Sequence, residues 1–267
     1  MGEPLRVEPN GPVATVTMTR PEVHNAFDEG LIAALQAAFT ELGADPDVRV
    51  IVLASEGASF SAGADLGWMK RMSGASEAEN REDARKLAAM LRSLAECPKP
   101  VVARVQGNAF GGGVGLVACA DIAVAAEGVR LGFTEVKLGL APATIAPWVL
   151  RKTGPGRALP LFLTGELIDA ESALKLGLVY QVVPADELDA AVQAVVERLL
   201  AGGPMAQAAC KQLVSRMSGG DASIDEYTAE LISALRTGDE GREGVGAFLE
   251  KRKASWLERC AGRGDSR

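Results

Sequence analysis

Residues 106–121 read Gln-Gly-Asn-Ala-Phe-Gly-Gly-Gly-Val-Gly-Leu-Val-Ala-Cys-Ala-Asp, and this stretch decides both the fold and the site. It follows the apolar run 101–105 and continues into apolar residues, a pattern that predicts a strand, a glycine loop and a buried helix. Three successive glycines, Gly111 to Gly113, leave no Cβ between backbone and ligand, and the first N–H groups of a helix lack intrahelical partners. The stretch therefore indicates a site for negatively charged oxygen, either a phosphate or an oxyanion formed during a reaction.

The glycine cluster is also compatible with three alternative roles. Gly113, Gly115 and Ala118 match a dinucleotide-binding fingerprint, with Glu135 about twenty residues further on. In that fingerprint, however, the first glycine follows its strand almost directly, whereas seven residues separate Val105 from Gly113. A P-loop is disfavoured because no Gly-Lys-Ser or Gly-Lys-Thr follows the glycines. Close packing of the helix against a neighbour is the remaining alternative.

A second loop of small residues strengthens the oxyanion interpretation. Residues 59–66, Ser-Phe-Ser-Ala-Gly-Ala-Asp-Leu, follow the β-branched run 50–53, which is typical of a short buried strand. If the two strands are parallel, one backbone N–H from each loop can reach the same oxygen atom. Two such donors form an oxyanion hole.

Several segments, in this order and spacing, resemble the crotonase or enoyl-CoA hydratase/isomerase superfamily over nearly the whole chain. They are residues 20–26 (Arg-Pro-Glu-Val-His-Asn-Ala), 61–66, 99–103, 107–113, 121–125, 131–140, 163–166 and 177–179. The resemblance implies an α/β fold, a crotonase-like spiral of ββα units over residues 1–184 that carries an acyl-CoA site. It also implies a helical C-terminal trimerisation region, 185–260, and we expect the polar tail 261–267 to be disordered.

The resemblance also implies roles for individual residues. Ala62 and Gly112 are expected to supply the two N–H donors to the thioester carbonyl of an acyl-CoA substrate. Coenzyme A is then part of the substrate, and no separate cofactor and no metal are expected. The implied substrate and CoA contacts are Val23, His24, Ala64, Asp65, Leu66, Gly111, Gly115, Thr134 and the basic C-terminal residue Lys251.

The catalytic acids depart from the pattern of hydratases that use two glutamates. Gly115 stands where the first glutamate is usual, while Glu135 matches the second. One carboxyl group can add water to a 2-enoyl thioester as base and then as acid, or can move a proton between C2 and C4 as an isomerase does. The longer signature, including residues 139–147, looks most like the hydratases of methylglutaconyl-CoA and isohexenylglutaconyl-CoA. Hydration therefore ranks first, isomerisation second, and a non-catalytic acyl-CoA-binding scaffold is the alternative from another class.

Composition limits the kinds of partner and the cellular location that we expect for the protein. The 267 residues carry a formal net charge of −7 and only 4% aromatic residues, with no basic stripe, so nucleic acid is not an expected partner. No apolar run is long enough for a membrane helix. The single histidine, His24, disfavours a metal site built on imidazoles, and the four cysteines lack a C-x-x-C spacing. We expect a cytoplasmic protein with free thiols, and the family resemblance implies a homotrimer or a dimer of trimers.

The remaining pattern alternates strand and helix and then becomes helical. Residues 13–18 are predicted as a strand, and the helix after it has Asn25 and Asp28 as candidate caps. Ser76 and Glu79 fit a capping box ahead of another helix. The segment between Asp65 and Ser76 is expected beside the pocket, and residues 187–200, 204–218 and 224–235 are predicted as amphipathic helices.

Overall fold

The computed structural model of the chain describes residues 3–217 and 238–256. The predicted helix 224–235, the predicted disordered tail 261–267 and Cys260 lie outside the described residues. The strands are β1 (Leu5–Asn10), β2 (Val13–Met18), β3 (Val50–Ser55), β4 (Ser59–Ser61), β5 (Val101–Val105), β6 (Asn108–Phe110), β7 (Ile122–Ala126), β8 (Arg130–Gly132), β9 (Leu167–Asp169) and β10 (Gln181–Val183).

The helices lie between and after these strands. They are α1 (Glu29–Ala44), α2 (Leu66–Ser73), α3 (Glu77–Ala95), α4 (Gly112–Cys119), α5 (Ala146–Thr153), α6 (Pro155–Thr164), α7 (Ala170–Leu176), α8 (Leu188–Ala201), α9 (Pro204–Met217) and a final helix Asp239–Leu249. A 3-10 helix spans Thr134–Leu138. Within the described ranges, no helix combines the length and the apolar composition needed to cross a bilayer.

The strands form two sheets. The larger sheet has the order β1-β2-β3-β5-β7-β10, and the smaller has the order β4-β6-β8-β9. In the larger sheet β2, β3, β5, β7 and β10 are mutually parallel, and β1 pairs antiparallel with β2. Every residue of β3 is buried, as expected for a β-branched run covered on both faces.

Three strands of the larger sheet are each followed by a short strand of the smaller sheet. Thus β3 leads into β4 and α2, β5 into β6 and α4, and β7 into β8 and the 3-10 helix Thr134–Leu138. The predicted α/β fold built of ββα units is confirmed. Because β3 and β5 are parallel, and β4 and β6 are parallel too, the two loops that the sequence singled out leave the sheets on the same side.

Local sequence explains where the helices begin. Asp28, one of the two candidate caps, is the N-cap of α1 and its side chain accepts from the amide of Leu31. The capping box between Ser76 and Glu79 is present at the start of α3. After β10 the described chain holds only helices, and α8 and α9 match the predicted helices within a residue at each end. The division at residue 184 stays a prediction.

Candidate active site

The two glycine-bearing loops lie in direct contact. A Cβ built on Gly63 would lie 2.8 Å from the carbonyl oxygen of Phe110 and 3.5 Å from the amide nitrogen of Gly112. A Cβ built on Gly113 would lie 2.4 Å from the carbonyl oxygen of Ser61. Side chains at either position would separate the loops, so the glycines are needed for the close approach.

The start of α4 presents unbonded amides. Its N-cap, Gly111, has φ of +49° and provides no side chain to cap the helix. The first intrahelical bond is the one that the Gly115 amide donates to the Gly111 oxygen, at 3.2 Å. Within the described part of the chain, the amides of Gly112, Gly113 and Val114 donate to no protein acceptor. This end of the helix therefore favours negative charge.

In the loop that follows β4, the hydrogen bonds correct one predicted donor. The amide of Ala62, expected in the oxyanion hole, donates instead to the carbonyl oxygen of His24 at 2.9 Å. The amides of Gly63 and Asp65 are also engaged, with the Ser61 hydroxyl and the Phe27 carbonyl respectively. Among the amides of residues 62–65, that of Ala64 alone has no acceptor in the described part of the chain. Ala62 is thus occupied by a structural bond, and Ala64 carries the available donor.

Asn25 holds this loop in place, a role that the sequence did not reveal. Its side chain is fully buried, and its amide nitrogen donates to the carbonyl oxygens of Glu56 at 2.8 Å and Ser59 at 3.0 Å. Its side-chain oxygen accepts from the Arg20 amide at 3.0 Å, and its carbonyl accepts from the Ser61 hydroxyl at 2.9 Å. Asn25 is therefore not a helix cap. Its hydrogen bonds connect Arg20, the turn at Glu56 and strand β4.

Glu135 lies against the glycine start of α4. A Cβ built on Gly111 would lie 3.2 Å from Oε1 of Glu135, so the carboxyl group is at the helix N-terminus. Its other oxygen, Oε2, is buried and has no hydrogen-bond partner among the residues that the structure describes. Burial raises the pKa of the Glu135 carboxyl group, while a hydrogen bond from its own backbone amide opposes the rise. A carboxyl group in this setting can exchange protons with a bound ligand.

Two other predicted contacts lie in different surroundings. Gly115 is buried, and a Cβ built on it would lie 2.4 Å from Cγ2 of Ile145, so the residue packs α4 against the start of α5. Lys251 is exposed, and its segment contacts residues near the end of α8: the Trp256 indole donates to Ala201. The described contacts do not bring Lys251 to the loops of the site.

The side chain of Asp65 caps α2. Its Oδ1 accepts from the amides of Gly67 at 2.8 Å and Trp68 at 3.1 Å. Its Oδ2 lies 3.4 Å from a guanidinium nitrogen of Arg20, and the same nitrogen is 2.9 Å from Oδ2 of Asp28, the N-cap of α1. Asp65 therefore orders the loop, and only its backbone is left to contact a ligand.

The remaining predicted contacts surround the two loops. His24 is exposed with φ of +54°, and its Nδ1 lies 3.2 Å from the Ser59 hydroxyl oxygen. Leu66 is 82% exposed and Ala64 is exposed, while Val23 and Thr134 are half-buried. The structure thus brings Ala64, Gly111, Gly112 and Glu135 into one region and leaves an open surface on the His24 side.

Known proteins share this arrangement of fold and sequence. The family model described as "Enoyl-CoA hydratase/isomerase" matches residues 8–259. A putative enoyl-CoA hydratase of Thermus thermophilus is 35% identical over 243 residues, which cover 91% of this chain and 96% of that protein. A crotonyl-CoA hydratase of Syntrophomonas wolfei is 32% identical over 96% of this chain and 99% of its own length. The crystal structure of an enoyl-CoA hydratase from Shewanella pealeana superimposes with a TM-score of 0.92 at 39% identity, covering 95% of this chain and 96% of that one.

The chain therefore belongs to the enoyl-CoA hydratase/isomerase family, the crotonase superfamily that its sequence resembles. It is an enzyme of the hydratase/isomerase kind, and an acyl-CoA substrate is consistent with that family.

Proposed function

We propose that the protein adds water across the 2,3 double bond of a 2-enoyl-CoA, with Ala64 and Gly112 as oxyanion donors and Glu135 as the proton carrier. The observation that supports this most directly is the pairing of two unbonded amides on touching loops with a buried carboxyl group at the same helix start.

The two amides would stabilise the charge that develops on the thioester. When a nucleophile attacks C3, electron density moves to the thioester oxygen, which becomes an enolate. Preformed amide donors stabilise that oxygen more than the carbonyl of the substrate, and losing one typically costs about 2.7–4 kcal/mol of transition-state stabilisation. The free N-terminus of α4 adds its partial positive charge at Gly112.

Glu135 would serve first as base and then as acid. Its carboxylate takes a proton from water as the water oxygen bonds to C3, and the π electrons move to the thioester oxygen. The carboxylic acid then returns a proton to C2 as the carbonyl re-forms. Burial helps because it raises the pKa of Glu135 and so makes the protonated form that the second step needs more accessible.

The finer features of the substrate and the assembly are part of the same proposal. We propose a branched acyl group of the 3-methylglutaconyl type, bound with its CoA portion along the backbone of Val23, His24 and residues 64–66. A homotrimer or a dimer of trimers would bring the CoA phosphates to a basic residue such as Lys251. The free thiols of Cys97, Cys119 and Cys210 support a reducing, cytoplasmic setting.

Isomerisation by the same glutamate is the second candidate, and the single carboxyl group at the site favours it. A carboxylate beside C2 and C4 can move a proton between them without water. The third candidate is a non-catalytic scaffold, which would bind acyl-CoA esters without converting them.

Incubation of the purified protein with crotonyl-CoA, 3-hexenoyl-CoA and 3-methylglutaconyl-CoA separates these functions. Mass spectrometry should detect the addition of one water to a 2-enoyl substrate, with ¹⁸O incorporation from labelled water. Double-bond migration in 3-hexenoyl-CoA without a mass change would favour the isomerase. Binding of all three esters without conversion would overturn both enzymatic proposals.

A further inference from the structure

Gly115 and Ile145 form a complementary pair of a small and a large residue. A Cβ built on Gly115 would lie 2.4 Å from Cγ2 and 3.1 Å from Cβ of Ile145, and 3.5 Å from Cδ2 of Leu91. The first two distances are shorter than the normal separation of about 3.5–4.0 Å between non-bonded carbon atoms. A side chain therefore fits at position 115 only if Ile145 moves.

Ile145 is not free to move. It is 1% exposed, and it directly precedes α5, where its carbonyl oxygen accepts from the amides of Trp148 and Val149, both at 3.1 Å. Branching at Cβ restricts its side chain to few rotamers. Leu91, which is fully buried, closes the other side of the same space. Displacing Ile145 would require a shift in the start of α5.

Position 115 lies close to the carboxyl group of Glu135. The amide of Gly115 donates to the carbonyl oxygen of Gly111, so the two residues are one turn apart, and Oε1 of Glu135 lies against Gly111. One helical turn advances about 5.4 Å, a distance that a glutamate side chain can cover. A carboxyl group carried at position 115 could therefore work on the same substrate as Glu135, if Ile145 did not fill its space.

Building on the proposed function, we infer that Ile145 determines the proton chemistry of this site. By filling the space next to Gly115, it excludes a second carboxyl group, and it keeps the surroundings of that position apolar. One carboxyl group must then both accept the proton of water and return a proton to C2. With a second carboxyl group present, one group would take the proton from water while the other supplied the proton to C2.

The test replaces both residues, so that a carboxyl group is added at position 115 and the side chain at position 145 is removed. In the double variant Gly115→Glu with Ile145→Gly, the new carboxyl group gains room, and we expect hydration of crotonyl-CoA to exceed that of the matched variant Gly115→Gln with Ile145→Gly. The expected gain in kcat is on the order of 10²-fold, the usual contribution of one general acid or base. The pH profile of kcat should also gain a second limb in the glutamate variant only, which a change in packing alone would not produce.

The single variant Gly115→Glu tests the steric exclusion by Ile145 without the added room. Gly115→Glu alone should lower the melting temperature and leave hydration no faster than in the wild type, because its side chain meets Ile145 and Leu91. Faster hydration by Gly115→Glu alone would show that Ile145 excludes nothing, and equal rates and pH profiles in the two double variants would also overturn the inference. If the glutamate double variant fails to fold, Gly115→Asp with Ile145→Ala, compared with Gly115→Asn with Ile145→Ala, makes the same test with smaller changes.

Failure of the proposed function would look different. The wild-type protein would then hydrate none of the enoyl-CoA esters, whereas failure of the inference leaves wild-type hydration intact and affects only the double variants.

Discussion

Oε1 of Glu135 lies 3.2 Å from the point that a Cβ on Gly111 would occupy. The absence of a side chain at the N-cap of α4 is therefore what allows the carboxyl group to reach the helix start. The same glycine has φ of +49°, a conformation that L-residues rarely adopt. Gly111 thus sets both the path of the backbone into α4 and the location of the acid.

Gly111→Ala is expected to lower kcat at least tenfold, because the new methyl group would push the carboxyl group of Glu135 away from the helix start. Steady-state kinetics with the best substrate and thermal melting measure the two effects. Gly128→Ala is the matched control, since Gly128 also has positive φ (+80°) but a Cβ there would meet nothing within 4 Å. Both variants should lose stability from backbone strain, because positive φ favours glycine, and only Gly111→Ala should lose kcat. An equal loss of kcat in both would contradict the prediction.

Glu135→Gln should reduce kcat by about 10²–10⁴-fold, because the amide cannot accept a proton from water. The shape of the side chain is kept, so the dissociation constant of a non-reactive acyl-CoA, measured calorimetrically, should change little. Glu166→Gln, an exposed position, is the control and should retain wild-type kinetics. Turnover by Glu135→Gln at the wild-type rate would remove Glu135 from the mechanism.

The stability of the protein should depend on the ionisation of Glu135. Because burial raises its pKa above the ordinary value, the folded protein binds more protons than the unfolded chain between the two pKa values. Stability is therefore lost as pH rises through this window, and the loss is complete above the folded pKa. Glu135→Gln removes the buried charge, so its melting temperature should exceed that of the wild type at pH 7, and the difference should shrink toward pH 4. A difference that grows on acidification would contradict this assignment.

Replacing single backbone amides by esters distinguishes Ala64 from Ala62. With lactic acid in place of Ala64, the N–H group is lost while the methyl side chain stays, and we expect kcat to fall about 10²–10³-fold, as for other oxyanion donors. Stability should hardly change, because this amide has no acceptor in the described protein. The same change at Ala62 removes its bond to His24 and should cost about 1 kcal/mol of unfolding free energy with a small effect on kcat. The reverse pattern of kcat losses would restore Ala62 as the donor.

Features set by local sequence were predictable. Strands β2 and β5 have the predicted bounds because each apolar run is followed by polar or turn residues, and the capping box of α3 needs only Ser76 and Glu79. The glycine cluster indicated the unbonded amides of α4. The three-residue strands β4, β6, β8 and β9 were not predicted, because strands so short have little periodicity of their own and are formed by pairing with one another.

The details of the site depended on contacts between distant segments. Nothing in residues 61–65 shows which amide remains unbonded, because the choice is made by the carbonyl groups of His24 and Phe27, in an earlier part of the chain. In the same way, the position of Asn25 suggested a helix cap, whereas its side-chain nitrogen donates to Glu56, just after β3, and to Ser59, at the start of β4. The packing of Ile145 against Gly115 could not be predicted either, because it depends on how α4 and α5 pack against each other.

The guanidinium group shared by Asp28 and Asp65 restricts how the entrance to the site can open. One nitrogen of Arg20 holds the aspartates that start α1 and α2, so the beginning of α2 cannot swing outward without loosening the cap of α1 as well. Toward the opposite end of α2, the guanidinium group of Arg71 pairs with the carboxylate of Glu29 in the first turn of α1, at 2.6 Å. Widening of the site for a bulkier substrate is therefore expected to move α2 together with the start of α1 rather than to release one end of α2 alone.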